Sequence, residues 1–150
     1  MQCVEYKGSD RMKSDSNSLI IPADVKRLSE VLSFLEHRLE ETGCSPVALT
    51  QICIAAEEIY VNIASYAYTL GTGPVMIEAE ITDEPHRAVI TFTDGGIPFN
   101  PLQKEDPDVT LSAEERKIGG LGIYMTKKSM DNVRYEYRDG KNILTLVKNI

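Results

Sequence analysis

Three short stretches of the chain contain residues able to do chemistry. In Glu57–Asn62, read E-E-I-Y-V-N, carboxylates precede an amide inside a helical pattern. In Asp94–Pro101, read D-G-G-I-P-F-N-P, a carboxylate closes an alternating run and two glycines follow it. In Gly119–Gly122, read G-G-L-G, glycines open another apolar-periodic segment. Together they offer a proton acceptor, an amide oxygen for a hard cation, a hydrogen-bond acceptor for an amino group, and free backbone N–H groups for an anion.

Within the first stretch, Glu58 and Asn62 stand four residues apart and share a helix face. Mg²⁺ takes oxygen ligands and keeps several waters, so one amide carbonyl beside phosphate oxygens is a sufficient protein contribution. A carboxylate one turn away can take a proton from an attacking hydroxyl or water. The plainer reading is a buried polar pair, and E-x-x-x-N alone is a common pattern. Asp94, at a strand end, can accept the amino proton of adenine, with Ile97 and Phe99 as apolar walls. Gly95 and Gly96 let backbone approach a flat ring without a Cβ in the way. A simple turn after a strand explains the same residues. Gly119, Gly120 and Gly122, with Leu121 among them, precede a helix at Ile123–Met130 and can present N–H groups to phosphate. A flexible joint is the alternative. No Gly-Lys-Ser/Thr follows, and the spacing is not the dinucleotide-binding one.

The elements that must position these stretches follow from periodicity. A short strand is expected at Ser18–Ile21. Asp24 then opens a helix with Val25, Leu28, Val31, Leu32, Leu35 and Leu39 on one face, stopped by Gly43. Ser45-Pro46 caps a second helix, to about Tyr66, apolar nearly all round and therefore central. Val75–Thr82 and Arg87–Thr93 alternate like strands around Asp83–His86, and Val133–Arg138 with Asn142–Lys148 form a hairpin across Asp139-Gly140. The order predicts a two-layer α/β sandwich with a mixed, mainly antiparallel sheet. Residues 1–17 read as a loose leader and 18–150 as one domain. Residues 100–117 read as a long mobile loop, charged, interrupted by two prolines and with room for one helical turn near Ser112–Glu115.

The chain has 150 residues, 42% apolar and 26% charged, which suits one ordinary core. Its net charge of −7 argues against a general nucleic-acid binder. Contiguous apolar runs are too short for a membrane span, and no export signal is apparent. Cys3, Cys44 and Cys53 read as free thiols of a reducing cytoplasm, the latter two as small core residues. His37 and His86 alone make no histidine-rich metal site.

The joint, ordered occurrence of the three stretches resembles the GHKL ATPase superfamily. It is most similar to the bacterial anti-sigma-factor serine/threonine kinases, whose N box and two glycine boxes match E-E-I-Y-V-N-I-A-S-Y-A-Y, D-G-G-I-P-F-N-P and G-G-L-G-I-Y-M. The resemblance implies a Bergerat-type ATP-binding fold with helices on one sheet face. It implies Glu58 as general base, Asn62 as Mg²⁺ ligand and Asp94 as adenine reader, with Gly96, Ile97 and Phe99 around the base. Gly119, Gly120, Leu121 and Gly122 would lie at the phosphates under a lid of 101–118. Such kinases often carry a histidine where Tyr66 stands, and some an arginine just before the second glycine box, where this chain has Lys117-Ile118. Lys117 or Arg116 is the candidate for the γ-phosphate. The function implied is phosphorylation of an anti-sigma-factor antagonist of the STAS type by a homodimeric cytoplasmic kinase, with a sigma factor as a further partner. The alternatives are a non-catalytic, nucleotide-gated binding protein and a histidine-kinase-like ATPase domain.

Overall fold

A computed structural model describes residues 13–14, 17–103 and 121–150. Six strands form one sheet in the order β1-β2-β3-β4-β6-β5. The strands are β1 (Lys13–Ser14), β2 (Ser18–Pro22), β3 (Pro74–Asp83), β4 (His86–Asp94), β5 (Asn132–Arg138) and β6 (Lys141–Asn149). Every described pairing is antiparallel, so the expected mixed sheet narrows to an antiparallel one. The helices are α1 (Leu28–Glu40), α2 (Pro46–Tyr66) and α3 (Leu121–Ser129). They cover one sheet face, because alternate residues of β3, β4 and β6 are buried, among them Ile77, Ile90, Phe92 and Leu146.

Local chemistry explains the boundaries. Asp24 accepts from the Lys26 N–H at 2.9 Å and caps a 3₁₀ turn, Val25–Arg27, that runs into α1. The helix thus starts three residues later than its apolar pattern suggests, and Val25 is half exposed. Gly43 takes a φ of +73° just past α1. Ser45 accepts from the Ala48 N–H at 3.2 Å, with Pro46 in the first turn of α2. At the β5–β6 turn, Asp139 and Gly140 have φ of +53° and +75°, as a type I′ hairpin requires.

Three expectations change. The leader is not wholly loose, since Lys13 and Ser14 pair with Ile20 and Leu19 on the outer edge of β2, whose backbone groups otherwise lack a strand partner. Its residues 1–12, Cys3 among them, and 15–16 lie outside the described ones. Secondly, α2 is not buried all round: Val47 is 68% and Ile54 59% exposed, because α2 rests on the sheet by one side and presents the other to solvent. Thirdly, α2 reaches the length and hydropathy of a membrane span although no contiguous run does. Its Ile52, Ala55, Ala56, Ile59 and Tyr60 are nevertheless packed in the core. Cys44 and Cys53 are free and only half-buried, at the margin of the core. Burial, with help from the Glu36 carboxylate, pushes the Cys53 thiol up to about 11, so it stays protonated at neutral pH.

Tyr60 ties α2 to the segment between β2 and α1. Its hydroxyl lies 2.7 Å from both the Pro22 and Asp24 carbonyl oxygens, and it accepts from the Asp24 N–H at 3.1 Å. The side chain is fully buried. Tyr60→Phe should therefore lower unfolding free energy by about 1–3 kcal/mol in denaturant titration. An unchanged midpoint would show that these backbone groups find other partners.

Candidate functional site

The end of α2 and the end of β4 enclose one apolar pocket, about 430 Å³ of empty space counted to its open mouth. Ile59, Asn62, Ile63 and Tyr66 line it from α2, Phe92 and Asp94 from β4, and Tyr135, Asn142 and Leu144 from the terminal hairpin. Ile97 and Phe99, 48% and 38% exposed, form the wall nearest solvent, where a flat apolar ligand would cover them. Two close approaches set this shape. The Ile97 N–H donates to the Ala67 carbonyl at 2.9 Å, just past α2. At Gly96 an added Cβ would fall 2.2 Å from that same oxygen, so the residue must lack one.

Asp94 is 4% exposed at the pocket wall. Its Oδ1 accepts from the Gly96 N–H at 2.9 Å and from Asn142 Nδ2 at 3.0 Å. Its Oδ2 takes no donor among the described residues and is the acceptor left for an amino group of a ligand. Asn142, directly opposite Asp94 in the β4–β6 register, was not singled out by its sequence context. Nothing local marks it; only the hairpin register brings it there. Tyr68 was missed for the same reason. Its hydroxyl donates to the Pro74 carbonyl at 2.6 Å and accepts from the Gly95 N–H at 3.0 Å, bracing the loop after β4.

Glu58 and Asn62 do share one flank of α2, as their spacing requires, and Asn62 Nδ2 donates to Glu58 Oε1 at 3.1 Å. That bond turns Asn62 Oδ1 away, and among the described residues it takes no donor. The arrangement leaves one neutral oxygen for a hard cation, which suits Mg²⁺ held mainly by phosphate oxygens and water. Glu58 lies beside α3. A Cβ on Gly122 would sit 2.1 Å from its Cδ and 2.3 Å from each carboxylate oxygen. Leu121, the first residue of α3, is 41% exposed. Pro101–Gln103, expected as loop, forms a short 3₁₀ turn held by Asn100 Oδ1, which accepts from the Leu102 N–H at 2.9 Å. The other lid residues, with Arg116, Lys117, Gly119 and Gly120, lie outside the described residues.

The contact at Gly122 can be tested by stability. An uncrowded Gly→Ala change in a helix stabilises by up to about 1 kcal/mol. At Gly122 the added Cβ must turn the end of the Glu58 side chain aside, so Gly122→Ala should raise the thermal midpoint less in the wild type than in Glu58→Ala, where that carboxylate is gone. An equal change in both backgrounds would contradict the contact.

Comparison with known proteins identifies the family. The histidine kinase-like ATPase domain family matches residues 21–148. Over 138 residues the chain is 26% identical to the serine/threonine-protein kinase BtrW of Bordetella bronchiseptica, covering 92% of this chain and 96% of that one. It is 25% identical over 135 residues to the serine-protein kinase RsbW of Listeria monocytogenes, covering 87% and 85%. The RsbW of Listeria innocua is 24% identical over the same span. With the family match covering residues 21–148, from the end of β2 through the helices and most of β6, the chain belongs to the histidine kinase-like ATPase domain family.

Proposed function

We propose that this chain is an ATP-dependent serine/threonine protein kinase and anti-sigma regulatory factor that phosphorylates an anti-sigma-factor antagonist. The observation that carries the reading is the pairing of Glu58 with Asn62 on the flank of α2 whose end closes the Asp94 pocket. Relatives described as serine or threonine kinases, aligned over most of their length, support the acceptor class. The resemblance stated from the sequence supports a STAS-type antagonist as substrate, a sigma factor as second partner and a homodimer as the working form. A cytoplasmic location follows from those partners.

In this reading, adenine enters the apolar pocket and its amino group donates to Asp94 Oδ2, between Ile97 and Phe99. Asn62 Oδ1 would hold Mg²⁺, which when bound neutralises charge on the phosphates. The Glu58 carboxylate accepts the proton of the attacking serine or threonine hydroxyl as its oxygen bonds to the γ-phosphorus and the bond to the ADP oxygen breaks. Gly119, Gly120 and Gly122 are assigned to phosphate binding at the start of α3, with Leu121 between them, and Lys117 to the γ-phosphate. The remainder of 101–118 is assigned as the lid.

Glu58→Gln should leave Mg-ATP affinity nearly unchanged while phosphate transfer falls by about 10²–10⁴-fold. Equal loss of both would make Glu58 structural. Asn62→Ala and Asp94→Asn should each weaken binding of Mg-ATP in calorimetric titration; unchanged affinity in both would remove the nucleotide assignment.

A further inference from the structure

Asn142 has a hydrogen-bond arrangement that only one orientation of its amide satisfies. Its Nδ2 carries two protons, one donated to Asp94 Oδ1 at 3.0 Å and the other to the Ile97 carbonyl at 2.8 Å. Its Oδ1 has two lone pairs, one accepting from the Phe99 N–H at 3.1 Å and the other from the Tyr135 hydroxyl. Flipping the amide would set oxygen against oxygen at Asp94 and Ile97 and donor against donor at Phe99, and only the Tyr135 hydroxyl could turn to suit it. Asn142 is 6% exposed, so water does not readily replace these bonds. Burial pushes the Tyr135 hydroxyl upward from its ordinary range, which keeps it a donor at neutral pH.

This locked amide touches both parts of the pocket that face a purine. It fixes Asp94 Oδ1, leaving Oδ2 as the one free acceptor, and it fastens the backbone of Ile97 and Phe99, the outer wall. A carboxylate held in this way is a poor neighbour for a 6-oxo purine, whose oxygen would face it. A carboxylate free to rotate or draw in water discriminates less.

We propose that Asn142 is a positioning residue that sets the preference of the pocket for 6-amino over 6-oxo purines, with Tyr135 bracing its amide oxygen. The inference rests on the nucleotide reading given above and goes beyond it by assigning the selectivity to a side chain outside the three sequence stretches.

The test compares the affinities of the wild type, Asn142→Ala and Tyr135→Phe for Mg-ATP and Mg-ITP. Asn142→Ala removes both donors and puts no second carboxylate beside Asp94, where the two would share a proton, so the affinity ratio isolates the base. The expected result is a strong wild-type preference for Mg-ATP that Asn142→Ala narrows by about tenfold or more, with Tyr135→Phe narrowing it less. A variant that weakens both nucleotides equally and keeps the wild-type ratio would make Asn142 merely structural and overturn the proposal. If Asn142→Ala does not fold, Tyr135→Phe decides, an unchanged ratio counting against the proposal. A wild type that binds neither triphosphate would overturn the nucleotide reading itself, whereas one that binds both equally would overturn only this inference.

Discussion

The Ala67 carbonyl, at the C-terminal end of α2, is the point on which the rest of the site depends. It accepts from the Ile97 N–H and leaves no room for a side chain at Gly96. This contact joins the helix that carries Glu58 and Asn62 to the loop that follows Asp94. Neither element alone makes a pocket. Held together, they place the Asn62 amide and the Asp94 carboxylate on the walls of one apolar cleft.

The supports around that contact come from distant parts of the chain. Tyr68 bridges the Pro74 carbonyl and the Gly95 N–H, so the start of β3 and the end of β4 are braced together. Gly73 accommodates the Tyr68 ring, which a Cβ there would meet at 2.3 Å. On the far side, the terminal hairpin brings Asn142 against Asp94. A rigid frame of this kind suits a reaction in which the protein contributes chiefly position and electrostatics. Gly122 lies against the Glu58 carboxylate, so the start of α3 bears directly on the residue assigned as base.

Much of this was legible in the sequence because it is local. The capping by Ser45-Pro46, the i and i+4 relation of Glu58 to Asn62, and the Asp139-Gly140 hairpin all depend on neighbours within a few residues. Asp94 and its glycines were legible as a strand end followed by permissive backbone. Asn142, Tyr135 and Tyr68 were not, because their roles arise from pairings 6 to 48 residues apart that only the folded sheet creates. The exposed side of α2 was misjudged for a related reason: an isoleucine at position 54 looks like core until the sheet shows which side it covers. Pairing of Lys13 and Ser14 with β2 also needed the sheet edge, since nothing in that polar stretch announces a strand.

The central claim is that this frame transfers phosphate to a protein hydroxyl rather than merely holding nucleotide. The most direct measurement is the intact mass of a STAS-type antagonist partner after incubation with the chain and Mg-ATP. The account predicts that the partner gains one phosphate on a serine or threonine, and that Glu58→Gln suppresses the gain. A stable complex whose partner remains unmodified would contradict it and leave a nucleotide-gated binding protein in its place.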